Sequence, residues 1–485
     1  MAAVHPRSLR VAISTLLALT VAACFGDSGD GASQAETGPG LATGNVTTGP
    51  VPALPPGLPA PYLSGVVPTV VPPRPDSATT PEQSRPWFDV FSWQSFIALN
   101  WPADPNTRGV AESPDDSTAF LNAGNGGLRV WETYKESWEL FGQGNQRPSV
   151  FTSWDSPVEP CGGNLQPGQN AFTFTSKGNS LFNTAAESFS FPLVDQQGNY
   201  TLFSVRYNRP HYDTVRGADG NQGSWLYLSN NLGRALPFSV PASDSSGNLG
   251  SIMVKSAWRP LTVRDDTTKY YRTTAMVATD STGTTCKPVL MGLVGLHIAQ
   301  KQAGFPQWVW SSFEHVSNVP GPGSRAPYSY NNGLDTPQSV PGYSYIPDSS
   351  GVLVLQPNAR PVQVSRTNPI PATPPGSSTQ DINAIYQSYL QNTVWANYQL
   401  VITQWPSMPS QFVLVDSGGA YPASSGSPFP VWGAVNTTME TYFQTRAGAA
   451  AAGGNSCMSC HYQAGSTDYS WGLIRRAHLN TPASP

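Results

Sequence analysis

Charge is scarce in this chain: Asp, Glu, Lys and Arg together make up 12% of 485 residues, about half of the roughly 25% usual for a soluble domain. The 26 basic and 30 acidic residues leave a formal net charge of −4 and form no basic stripe, which excludes a nucleic-acid partner on electrostatic grounds. Long apolar runs are also missing past the N-terminus. The best, Pro288–Ala299, is interrupted by two glycines and His297, so it reads as a buried strand and not a membrane span. There is no glycine-rich phosphate loop, no Gly-x-Ser-x-Gly elbow and no His-Glu-x-x-His pair, which excludes the nucleotide, hydrolase and zincin chemistries those motifs carry. Histidine and cysteine are few, six and five respectively. A place where they gather therefore stands out. Glycine (45) and proline (47) are abundant, as in loop- and strand-rich chains.

The N-terminus sets the compartment. Arg7 and Arg10 precede the apolar stretch Val11–Ala23, long enough for a secretory leader and too short to span a bilayer. Val21-Ala22-Ala23-Cys24 resembles a bacterial lipobox. Residues 1–23 are thus expected to be a signal peptide, with Cys24 lipidated and the mature chain tethered to a membrane. Phe25, in place of Asp, points to the outer membrane of a Gram-negative cell. Residues 24–85 are rich in Gly, Ser and Pro and lack apolar periodicity, as expected of a disordered tether. Residues 86–485 read as one large folded body, extracytoplasmic and lipid-anchored.

Within that body, apolar spacing predicts helices at Asp89–Trp101, Arg129–Phe141, Asp381–Trp405 (capped by Thr379 or Asp381) and Asn436–Arg446. The middle alternates like strands: Ser188–Asn208 around a Gly-Asn turn, then "GSIMVKSAW", "YYRTTAMVAT", "VLMGLVGLHIAQ" and "QWVWSSFEHV", the last two forming a hairpin. The fold class is α+β, a β-rich, sandwich-like antiparallel body flanked by helices, ending in a helical attachment segment.

That segment, about 381–485, holds Cys457-Met458-Ser459-Cys460-His461. Two thiols two residues apart, followed at once by histidine, suit covalent attachment of one haem c: the thiols form thioethers and His461 ligates iron. A zinc site would need further ligands. Twenty-four residues follow His461, too few for a separate cytochrome domain, so the haem is expected to lie against the body, clamped by the 381–405 and 436–446 helices and edged by "DYSWGL". Met458 is excluded sterically as the sixth ligand. Met439 and His478 lead the alternatives, with Met408, His297 and His315 behind them. Cys161 and Cys286 remain and are expected to form a disulfide in an oxidising compartment.

Along "QWVWSSFEHV", alternation places Trp308, Trp310, Ser312 and Glu314 on one face and Val309, Phe313 and His315 on the other. The tryptophan-rich face reads as an ordinary half-buried strand or as a platform for a small-molecule or polymer ligand. Glu314, His315 and His297 are the catalytic candidates of a haem enzyme, and Lys255 and Trp258 join the same sheet.

"SFIALNWP", "VKSAW", "LVGLHIAQK", "PQWVWSSFEHVSN", "NTTMETYFQ" and "SCMSCH" with "DYSW" resemble blocks of the bacterial proteins called cytochrome c family proteins. The resemblance spans residues 86–475 and implies haem c without an activity; the chain does not resemble di-haem peroxidases or rubber-cleaving oxygenases. Three functions follow as expectations: monohaem electron transfer to a redox partner, a peroxidase- or oxygenase-type haem enzyme, or a ligand-binding module with a structural haem.

Overall fold

The computed structural model describes residues 54, 56–124, 126–141, 153–156, 161–163, 170–172, 193–216, 239–279, 285–334, 346–347, 353–354, 361–406, 428–430, 433–444, 456–461, 464 and 468–472. In chain order its elements are α1 (Pro81–Leu99), α2 (Ser117–Asn122), β1 (Lys135–Glu136), α3 (Ser137–Phe141), β2 (Ala171–Phe172), β3 (Leu202–Tyr207), α4 (Arg209–Arg216), β4 (Ile252–Pro260), β5 (Arg272–Ala278), β6 (Cys286–Gln302), β7 (Phe305–His315), β8 (Ile346–Pro347), β9 (Leu353–Val354), α5 (Thr379–Tyr389), β10 (Tyr398–Pro406), β11 (Pro428–Phe429) and α6 (Cys457–His461). Among the described residues, nine strands make one sheet in the order β1-β3-β4-β6-β7-β10-β11, with β5 on β6 and β2 on β5. All pairings in it are antiparallel except β2 with β5. The body is α+β and β-rich. The only other sheet among the described residues is the β8–β9 pair, so the described core is one sheet with helices on it and not two packed sheets.

Strand β6 organises the whole. Gly292 pairs with Arg259 of β4 on one side and Arg272 of β5 on the other. The opposite edge from β4 is therefore shared, β5 taking its first half and β7 its second. Cys286, the first residue of β6, is disulfide-bonded to Cys161 across 125 residues of chain.

Helix α1 covers one face of β6, β7 and β10. Thr80 and Gln83 form a reciprocal capping box with Pro81 at the first turn, a strong start signal. From Pro86 to Leu99 every residue is buried, because the helix lies between the sheet and α5. Trp93 stacks on Tyr386 and meets Phe313 edge-on, and its indole donates to Asn383. Ser92 exchanges hydrogen bonds with Ser311 and Thr403. Each of the large apolar side chains buried here contributes roughly 1.5–3 kcal/mol.

Several sequence expectations change. The 381–405 segment is a helix only to Tyr389, capped by Ser378 with Asp381 reciprocating, and becomes β10 from Tyr398. All nine residues of β10 are buried; a strand buried on both faces reads as a continuous apolar run, which periodicity does not separate from a helix. Arg129–Phe141 is a 3-10 turn, a two-residue strand and a short helix. Glu132 and Glu136 there are buried and held by other elements: Glu132 accepts from Tyr271 and Asn170, and Glu136 pairs with Arg206. At 436–440 the chain turns, and only Thr441–Phe443 winds, as a 3-10 turn. Asn436 accepts from the Thr438 amide and Glu440 from the Asn436 amide, local bonds that compete with a helix.

The expected tether also shortens. Leu54, Leu58, Leu63 and Val67 pack against the main core, the Gly65 amide donates to the Pro114 carbonyl, and α1 begins at Pro81. Proline prevents regular elements in this stretch without preventing burial. The leader and Cys24 lie outside the described residues. No described helix is long and apolar enough to cross a membrane.

Candidate functional site

The Cys457–His461 turn docks on the sheet face opposite α1. Ser456 opens it: the Ser459 amide donates to the Ser456 hydroxyl, and the Ser456 amide to the Ser459 hydroxyl. In a helical turn, positions 457, 460 and 461 share a side and 458 points away. Met458 is fully buried in the main core, and its amide donates to Gln404 Oε1 of β10 at 2.7 Å. Gln404 in turn donates to the Pro430 carbonyl. The residue between the cysteines is thus the anchor, and the thiols face outward from it.

Cys457 and Cys460 are not disulfide-bonded, and both are half-buried; the Cys457 thiol points at the Ala434 carbonyl at 3.7 Å. Cys457 packs beside Ile370, Val401, Ile402 and Ala434, and burial with Glu440 nearby pushes its thiol pKa up. His461 Nδ1 lies 2.7 Å from the Tyr469 carbonyl. A carbonyl only accepts, so Nδ1 carries the proton and Nε2 keeps its lone pair. Burial holds the imidazole pKa down at about 4 against the Tyr469 bond, with Lys255 and His297 acting in the same direction as burial. The ring packs 4.4 Å from Trp310.

Around this turn the sheet offers a polar row. His297 on β6 is directly opposite Lys255 of β4 and Ser312 of β7, so the three side chains share a face. His297 Nε2 is 3.4 Å from Glu440. The 433–440 loop lies on the same face: Asn436 donates to Ser312 and to the Phe313 carbonyl.

Alternation along β7 holds, and it separates the catalytic candidates. Glu314 is buried on the loop side, ion-paired with Arg366 and accepting from Thr437 Oγ1 at 2.7 Å and from Gln399. It is a clamp for the 433–440 loop. His315 is on the opposite side, stacked 4.1 Å from Tyr270. Its Nδ1 accepts from the Ser317 amide, so Nε2 donates to the Lys269 carbonyl. Burial lowers its pKa to about 3, and the ring is neutral and fully engaged. Met439 is fully buried in a second cluster with Leu193, Val194, Phe203 and Val294, a packing role. His297 alone of these candidates stays beside the turn. Met408 and His478 lie outside the described residues. The tryptophans of β7 are no open platform: Trp308 is wholly buried and Trp310 nearly so, at 6% exposed.

Sequence reading missed Gln404, Glu440 and Asp468. Asp468 and Tyr469 both have positive φ, 51° and 63°, and the turn they make presents the Tyr469 carbonyl to His461. Nothing in residue spacing announces such a turn when glycine is absent. No family model, curated protein or solved structure matches this chain.

Proposed function

We infer that Cys457, Cys460 and His461 attach one haem c, and that the protein is a lipid-anchored, extracytoplasmic monohaem electron-transfer protein. The observation that carries the reading is the pairing of two thiols outside any disulfide with an imidazole whose Nδ1 is held by the Tyr469 carbonyl. A backbone acceptor on the far ring nitrogen fixes the tautomer a metal-ligating histidine needs. The donor set fits the group: thiols for two thioethers, a free Nε2 lone pair for iron. Bound haem would supply a one-electron couple. The chain's own part is to seat the motif through Met458 and Gln404, orient the imidazole, and leave the thiol side half-open for outer-sphere exchange with a redox partner. The Cys161–Cys286 disulfide supports an oxidising compartment, and Cys24 would provide the anchor.

A haem enzyme is the second reading, and one feature favours it: the His297–Glu440 pair beside the turn is the acid–base couple such an enzyme would use. Glu314 and His315 are committed elsewhere. Of the sixth-ligand candidates among the described residues, Met439 and His315 are committed as well, which leaves His297.

Protein made with the c-type maturation machinery decides the matter. Haem should remain after acid–acetone extraction and vanish in a Cys457→Ser/Cys460→Ser variant. A reduced spectrum unchanged by carbon monoxide supports electron transfer; ready carbon monoxide binding would overturn it in favour of the enzyme.

A further inference from the structure

We propose that Asp468 is a positioning residue that sets the tautomer and donor strength of His461 through the backbone of Tyr469. The Asp468 side chain is completely buried, and both oxygens are saturated by groups from three places in the fold. Oδ1 accepts from Lys301 Nζ at 2.6 Å and from Trp308 Nε1 at 3.2 Å. Oδ2 accepts from the Val240 amide at 2.8 Å and from Ser239 Oγ at 3.2 Å. Lys301 is the last residue but one of β6, Trp308 lies in β7, and 239–240 lead toward β4. Hydrogen bonds to a carboxylate are roughly twice as strong as their neutral equivalents, and four converge here.

Backbone conformation gives an independent sign. Five described non-glycine residues have positive φ, and three of them meet at this carboxylate: Asp468 itself (51°), Tyr469 (63°) and Trp308 (67°). A left-handed aspartate is tolerable. Left-handed tyrosine and tryptophan are costly and persist only where surrounding bonds over-determine them. The Tyr469 amide donates to the Ala464 carbonyl at 2.9 Å, and its own carbonyl faces His461 Nδ1 at 2.7 Å. The chain of cause runs from Lys301 to Asp468, then through the Tyr469 peptide to the imidazole. The carboxylate holds the turn, the turn holds the carbonyl, and the carbonyl holds the Nδ1 proton.

Asn and Asp accept the left-handed region alike, so Asp468→Asn removes the charge and keeps the backbone preference. The experiment has two readouts. In the full chain made without haem, the ring nitrogen shifts of His461 are read by NMR. The wild type is expected to show the Nδ1–H form alone, and Asp468→Asn to raise the other tautomer about tenfold, as loss of one firm hydrogen bond would. This readout stands without haem. The second rests on the haem reading: in matured protein the midpoint potential should rise in Asp468→Asn, because an imidazole without its carbonyl partner is a weaker donor to the oxidised iron. Trp308→Phe, which removes one donor and no charge, should move both readouts less and in the same direction, and serves if Asp468→Asn does not fold. Wild-type ring shifts in a folded Asp468→Asn or Trp308→Phe chain would overturn the proposal. Failure to attach haem would overturn the haem reading alone.

Discussion

Gly295 of β6 lies so close under Thr438 that a Cβ at 295 would overlap the Thr438 hydroxyl and come 3.3 Å from Met439 Cε. The 433–440 loop thus sits on bare strand backbone next to His297. Gly295→Ala should lower stability by about 1–3 kcal/mol through overpacking. Removing the hydroxyl in Gly295→Ala/Thr438→Ala should recover part of it. Urea unfolding of the two single variants and the double variant gives the coupling; strict additivity would show that the two residues do not press on each other.

Glu314 looks catalytic in sequence and acts as a clamp in the fold. Glu314→Gln leaves Arg366, itself almost fully buried, without its counter-charge, and should cost about 3 kcal/mol. With haem attached as proposed, the spectrum of whatever matured protein remains folded should be unchanged. A variant with normal stability and an altered spectrum would restore Glu314 to the chemistry.

His211 gives the protein an acid-sensitive point. Its ring is buried against Tyr207, neither ring nitrogen has a hydrogen-bond partner among the described residues, and burial lowers its pKa to about 3. For a base depressed on folding, the stabilisation is complete above the unfolded pKa of about 6.5 and is lost as pH falls toward 3. At pH 4.5 the wild type should have lost about 2–3 kcal/mol through this residue. Asp89 works the other way: burial raises its carboxyl pKa to about 6, so its contribution is largest below about pH 4 and is lost as pH rises through 6. The comparison is therefore wild type against His211→Phe, in which the Asp89 term cancels. His211→Phe should flatten the fall between pH 6.5 and 4.5, measured by urea midpoints; parallel curves would remove His211 from the account.

Opening the disulfide with Cys161→Ser/Cys286→Ser frees a loop of 125 residues and should cost about 2–5 kcal/mol. Differential scanning calorimetry of the two proteins checks it.

The legible parts were those with a local period or a fixed spacing. β4 to β7 are runs rich in β-branched and aromatic residues set apart by polar turns, and α1 carries a capping box and proline at its first turn. The Cys457–His461 pattern, with its fixed spacing, falls on one short helix. What escaped reading depends on tertiary partners. β10 is buried on both faces and so has no in–out period. Glu132 and Glu136 sit inside only because Tyr271, Asn170 and Arg206 come from elsewhere. Met439 is near the motif in sequence, yet in the fold it belongs to the cluster beneath Gly295. Asp468 looked like the edge of an aromatic cover, and its four donors come from 160 or more residues upstream.

Strand β6 runs seventeen residues, roughly 55 Å if fully extended, with a bulge at Val294, where Gly295 and Leu293 pair with successive residues of β4. Cys286 stands at its start and Lys301 next to its end, with Gly295 and His297 between. The covalent staple and the Lys301–Asp468 bond therefore act on one bulged strand from points roughly 50 Å apart, a separation at which the effects of changes ordinarily add. The two fastenings are separable. A reducing environment would slacken the start of the strand while the C-terminal turn stayed seated at the other end, so damage to the one need not be reported by the other.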